Sequence, residues 1–263
     1  MTAAQAFPGA TGVTLLDVYD WPTADGLRGG SAHIHLASTE GYVVLRGAGR
    51  LQTLGSHGYR ETPLRPGDCL WFTPGTVHRL VNDDGQLQIL VVMQNAGLPE
   101  HGDAVLTFPP ESLADPGAYA RAATLPSPES MANPEPAARG PAGSAGGDAV
   151  AAAARRRAGL AVEGYLALRE RVLESGPGAL DDFYAAALRL AGQRADDWRD
   201  RWQAGALATA ELTGDHLDEI GAGVAGHLDA AGLWRIEHPA GERSYGMCGR
   251  LTTYPAARAV RAG

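Results

Sequence analysis

Between residues 12 and 108 the chain never sustains a helical stripe. Its apolar residues come in runs too short for one: "VTLLDVYDW", "GYVVLRG", "CLWFT" and "LQILVVMQ". Clusters of Gly, Pro, Asn and Asp separate them at "TADGLRGG", "LRPGD" and "VNDDGQ". Short runs rich in Val, Leu and aromatics at this spacing predict an all-β sandwich or barrel.

The pattern then changes. Residues 109–149 read as a Pro/Ala/Gly-rich linker, and in 125–147 five Pro and four Gly fall among 23 residues. Such a composition buries too little apolar surface to offset its chain entropy, so it is expected to be extended and to separate two units. Residues 150–263 read as a helical region. "ALDDFYAAALRLAG" puts Leu180, Phe183, Tyr184, Ala187 and Leu188 on one face. "HLDEIGAGVAGHLDAAGL" does the same with Leu217, Ile220, Val224, Leu228 and Ala231. A weaker stripe joins Val162, Tyr165, Leu166, Val172 and Leu173, with Arg169 inside it. The alternation around "PAGE" near the end predicts a hairpin.

Composition removes several chemistries. All 22 basic residues are arginine, so there is no lysine for a Schiff base or a P-loop phosphate site. Two cysteines, Cys69 and Cys248, cannot build a disulfide framework or a zinc ribbon. Cys69 is expected to be a small packed hydrophobe. The net charge of -8 opposes a nucleic-acid or anionic-membrane partner. Residues 150–263 hold 14 Arg against 15 Asp plus Glu, a net of about -1, the wrong footprint for a DNA-binding arm. The first residues lack the basic start and apolar core of a signal peptide, and no 18-residue apolar run exists. A cytoplasmic protein is the expectation.

Histidine is scarce, eight in all, yet two of them stand in "SAHIHLASTE". Residues i and i+2 of a strand share a face, so His33 and His35 project together. Glu40 opens the next strand, and a hairpin return can bring it beside them. His78 follows the Pro74-Gly75 turn at the start of another strand. The other histidines read as ordinary. His57 lies in a hairpin loop and His101 in a polar loop. His216 and His227 lie on one helix, eleven residues and so about 16 Å apart. Arg155–Arg157 read as a solvated helix start.

These spacings resemble the two motifs of the cupin superfamily, small metal-binding β-barrels. His33, His35, Glu40 and Gly47 fit the first motif; Gly67, Gly75, His78 and Asn82 fit the second. The first motif's leading glycine falls on Leu27, beside Gly26, and the second motif's proline falls on Thr73, beside Pro74. The resemblance covers residues 12–108. It implies a mainly β fold, an N-terminal cupin (jelly-roll) barrel with an appended C-terminal helical region. It also implies one divalent metal on His33, His35, Glu40 and His78. Such a nitrogen and oxygen set suits Fe, Mn, Ni, Co or Zn.

Tyr42 and Arg46 share strand parity with Glu40, so with His57 they are the candidates for a substrate pocket. Tyr42 either meets a substrate or fills the barrel mouth, and Arg46 either pairs with an acidic ligand or reaches solvent. By the same resemblance the chain acts on a small polar molecule as a dioxygenase, as a sugar isomerase or epimerase, or as a non-catalytic sugar-binding sensor. Dioxygenase chemistry is favoured slightly, because Glu40 is used as a ligand and no other acid has clear inward parity to serve as a base. The aromatic-rich helices need an apolar partner. They are expected to pack on a barrel, their own or that of a second chain in a homodimer, near the mouth of the metal pocket.

Overall fold

Period-two alternation closes the N-terminal part around an apolar interior. The computed structural model describes residues 6–126, 145–238 and 243–262. Nine strands lie in the first half: β1 (Gly12–Val18), β2 (His33–His35), β3 (Glu40–Arg46), β4 (Gly49–Gly55), β5 (Gly58–Leu64), β6 (Cys69–Phe72), β7 (Val77–Asn82), β8 (Gln88–Met93) and β9 (Ala104–Leu106). Four more come late: β10 (Leu233–Arg235), β11 (Ser244–Tyr245), β12 (Gly249–Thr253) and β13 (Val260–Ala262). One sheet runs β11-β12-β1-β8-β3-β6 and the other β5-β4-β7-β2-β9, while β10 and β13 form a separate ribbon. The two large sheets face each other. Leu16, Tyr42 and Ile89 from the first interdigitate with Leu51, Leu64 and Leu80 from the second.

The hairpin expected around "PAGE" is replaced by other pairings: its turn residues 239–242 lie outside the described residues, the strand before them, β10, pairs with β13, and the hairpin that forms, β11–β12, turns at residues 246–248. Its second strand, β12, pairs with β1 from Thr14↔Thr253 to Val18↔Gly249. Strands β11 and β12 are therefore part of the barrel wall.

A second core lies outside the barrel. Ile34, Leu54, Val77 and Leu106 point away from the interior and meet Tyr165, Leu168, Phe183 and Trp198. The helices that supply this layer are α3 (Ala145–Ser175), α4 (Asp181–Ala191) and α5 (Ala195–Trp202), followed by a π-helical turn, then α6 (Ala208–Gly221) and α7 (Gly226–Asp229). Helices α3 to α5 thus pack on the barrel, whereas α6 and α7 bury no residue. β2 is consequently buried on both faces, with histidines inward and Ile34 under the helices. Arg79 follows the same outward parity, yet outward is not solvent here. It is fully buried, bonded to Asp25 at 2.7 Å and to Thr23 at 2.8 Å, beneath the ring of Tyr165.

Close approach of α3 to the barrel depends on Gly164. A Cβ there would stand 2.1 Å from the Thr107 carbonyl oxygen. Gly164→Ala should therefore push the helix off the sheet and cost about 1–3 kcal/mol, as overpacking does. A thermal melt reads this, and an unchanged midpoint would contradict the docking.

Three expectations are corrected. Part of the assigned linker is folded: α1 (Pro110–Ala114) and α2 (Pro116–Ala123) lie against the barrel, and α3 already begins at Ala145. Leu113 is buried, and the Leu106 N–H donates to the Tyr119 hydroxyl at 3.0 Å. Two well-placed apolar anchors outweigh an unfavourable average composition; the remaining linker residues, 127–144, lie outside the described residues. The single helix expected through "HLDEIGAGVAGHLDAAGL" is broken after Gly221, where Gly223 takes a left-handed φ of 71°. Leu217, Ile220, Val224 and Leu228 are all exposed. The break folds His227 back on His216, their rings stacked at 4.5 Å, and not about 16 Å apart. Cys69 is exposed on the outer side of β6, since Leu70 and Phe72 take the inward parity. Among the described residues no helix is long and apolar enough to cross a membrane.

Candidate metal centre

The sheet register assembles the four residues. His33 on β2 pairs directly with His78 on β7, and His35 follows at the same parity. Glu40, at the start of β3, comes across from the facing sheet. All four are buried, and one ligand atom from each lies within 4.8 Å of every other. His33 and His78 Nε2 are 3.1 Å apart. Glu40 Oε2 lies 3.1 Å from His78 Nε2 and 3.3 Å from His35 Nε2.

The outer nitrogens fix the tautomers. His33 Nδ1 meets the Ser31 carbonyl at 3.2 Å, and His78 Nδ1 meets the Thr76 carbonyl at 3.1 Å. A carbonyl only accepts, so each Nδ1 carries the proton and each Nε2 turns a lone pair inward. Two such lone pairs at 3.1 Å repel, and the His78 lone pair also faces the carboxylate oxygen Glu40 Oε2 at 3.1 Å. A cation at their centre satisfies all of these atoms at once. The residues present therefore suit a divalent transition metal.

Asp103 was not singled out in the sequence. It is fully buried, accepts the N–H groups of Leu36 and Ala37 at 2.9 and 2.6 Å, and holds His35 Nδ1 at 3.3 Å. Burial resists its charge, but His35 and the backbone donors keep its carboxyl below the usual range. The arrangement matches a carboxylate that orients a metal-binding histidine. Asp103→Asn should weaken metal binding about 10- to 100-fold while leaving the fold intact, as a chelator competition would show. Equal affinity in the variant would remove Asp103 from the site.

The histidines divide electrostatically. Burial, followed by the neighbouring His78 and His35, holds His33 well below the ordinary histidine range. Burial also opposes charge on His35, yet the flanking Asp103 and Glu40 carboxylates overcome it and raise the group to about 9. The metal-free protein thus carries a proton on His35 at neutral pH, and a metal must displace it. Apparent affinity should rise about tenfold per pH unit from about pH 7 and level off above about pH 9. A flat profile across that window would show that His35 is not a ligand.

The centre opens on a cavity of about 310 Å³. His33, His35 and Glu40 line it, with Leu16, Val91 and Leu251 among its apolar residues. Gly246 to Cys248 close one side, and Arg157 of α3 also reaches it. None of the three substrate-pocket candidates lines this space. Tyr42 is buried in the barrel core with its ring edge-on to Phe72 at 5.4 Å. Arg46 sits past a β-bulge at the strand end, where it pairs with Asp17 at 3.1 Å. His57 is exposed in the β4–β5 turn.

Residues 24–93 match the family model for the cupin domain. The N-terminal barrel is a cupin. The match runs from before β2 to the end of β8 and leaves the helices and β12 outside. Solved structures resemble the cupin part of the chain. A Klebsiella pneumoniae protein with a double-stranded β-helix domain is 20% identical over 32% of this chain and 64% of that one, with a TM-score of 0.26. Oxalate decarboxylase from Bacillus subtilis is 18% identical over 25% and 17%, with a TM-score of 0.24. A putative sugar phosphate isomerase from Acidithiobacillus ferrooxidans is 26% identical over 32% and 49%, with a TM-score of 0.26. The chain therefore spans less than two thirds of each of these structures. No curated protein matches it.

Proposed function

We propose that this chain is a mononuclear, metal-dependent cupin enzyme acting on a small polar molecule, with oxygen-dependent chemistry favoured over isomerisation. The carrying observation is the convergence of three inward Nε2 atoms and a buried Glu40 oxygen beside a small cavity. A metal held there would supply Lewis-acid or oxygen-activating chemistry. The residues themselves orient the donors, present an apolar lining beside them and suit a small substrate.

The preference against isomerisation rests on the acids. An isomerase needs a base besides the metal ligands. Asp103 is turned toward His35, behind the site. Apart from Glu40, the carboxylate lining the cavity is Glu100, exposed and accepting the Gly97 N–H at 2.9 Å.

The deciding experiment loads the protein anaerobically with Fe(II) and screens keto acids, catechols, amino acids and sugars. Oxygen uptake that needs both metal and compound supports the proposal. Sugar interconversion with Mn or Ni and no oxygen would replace it with an isomerase, and tight binding without turnover under any metal would replace it with a sensor. The exposed Trp71 and Leu45 on the outer side of the six-stranded sheet favour a homodimer, which sedimentation would read.

A further inference from the structure

Arg157 is the one feature of the cavity that the metal centre does not explain. It is only 8% exposed. Its neighbours Arg155 and Arg156 are both exposed. Successive helix residues point about 100° apart, so only one of the three can face the barrel. Its guanidinium donates to two carbonyls, Gly246 at 2.6 Å through Nη2 and Ala123 at 3.3 Å through Nη1. Its Nε is buried with no partner. Among the described residues no carboxylate lies within ion-pair distance of it, whereas the other deeply buried guanidinium, Arg79, has Asp25. Burial pushes the Arg157 charge in the unfavourable direction, and the groups that offset this are tyrosines and a thiol, with no acid among them.

A buried cation is costly unless an anion meets it. Arg157 lines the same cavity as His33, His35 and Glu40, so one bound ligand can face both. We infer that Arg157 is the anion-recognition residue of this site and that the substrate is a small monocarboxylate. The carboxylate class follows from what surrounds the charge. A phosphate dianion commonly gathers a second cation, and the lining offers one guanidinium with the hydroxyls of Thr14 and Thr253, while a second carboxylate, Glu100, opposes a dianion. A single carboxylate needs only the free N–H groups left on this fork. The size also fits, because about 310 Å³ is at the small end for ligand sites.

This inference rests on the metal-site reading, and the test separates the two. Holoprotein reconstituted with Co(II) is titrated calorimetrically with pyruvate, 2-oxobutyrate and 2-oxovalerate, with the corresponding amides, and with inorganic phosphate. The acids should bind about 10- to 100-fold more tightly than their amides, the range of a charge-assisted hydrogen bond. Phosphate should bind no better than the amides. Arg157→Met should reduce the acid-to-amide ratio to about one while metal content stays at one equivalent. Should that variant fold poorly, Arg157→Lys keeps the charge without the fork and should lower the ratio by about tenfold. Acids and amides of equal affinity in the metal-loaded parent would overturn the inference, as would a ratio indifferent to both substitutions. Phosphate binding more tightly than the acids would overturn the carboxylate class. A parent protein that takes up no Co(II) would instead overturn the metal-site reading.

Discussion

His78→Ala should lose about nine-tenths or more of the bound metal and at least about 100-fold in affinity. The residue sits at the centre of the constellation: its Nε2 is 3.1 Å from both His33 Nε2 and Glu40 Oε2. Its ring is fully buried, and none of the other three donors replaces it. Two contributions add. The metal loses one donor, and the cavity left by the ring removes the packing of Phe72, whose centroid lies 4.4 Å away. His57→Ala is the matched control, because that ring is exposed in a distant turn. Elemental analysis of untagged protein reads both. Full occupancy in His78→Ala, or equal loss in His57→Ala, would show that the metal sits elsewhere.

How legible this centre was depended on the range of the rule that carries it. His33 and His35 needed only strand parity, and Glu40 and His78 needed only turns at fixed offsets. Asp103 obeys no local rule: it stands 68 positions from the histidine it orients. Arg157 was hidden by its own neighbours, since three consecutive arginines look like a wet surface until the helix is seen to turn only one of them inward. The C-terminal alternation was legible but its partners were not: β10 pairs with β13, and the pairing of β12 with β1 joins residues more than 230 apart, beyond any periodicity. His216 and His227 were misplaced because the apolar stripe continues past Gly221 although the backbone does not; Gly223 takes the left-handed conformation that ends the helix. Tyr42 had the right parity, yet inward in a packed barrel means core as often as cavity.

A chain ending at residue 238 should lose both stability and the site, although every proposed metal ligand remains. Three losses coincide. β12 leaves β1 with an open edge along five paired residues. Met247, Cys248 and Leu251 no longer close the cavity, so water reaches Leu16 and Val91. Gly246 no longer accepts from the Tyr19 hydroxyl at 3.0 Å or from Arg157 at 2.6 Å, which leaves a buried guanidinium with one carbonyl partner. Burying a large apolar side chain contributes about 1.5–3 kcal/mol, and an unpaired buried polar group costs about 1–3 kcal/mol. The total is about 5 kcal/mol or more, comparable to the whole margin of many domains. The shortened chain should melt more than about 10 °C lower, and hydrogen exchange along β1 should accelerate strongly. Metal affinity should fall with it, because His33 leans on the same wall: the Cys248 thiol lies 3.9 Å from its Nδ1 and also meets the Ser31 carbonyl that orients the ring. If the shortened chain instead melts and binds metal like the parent, β12 is an ornament on a barrel that closes without it.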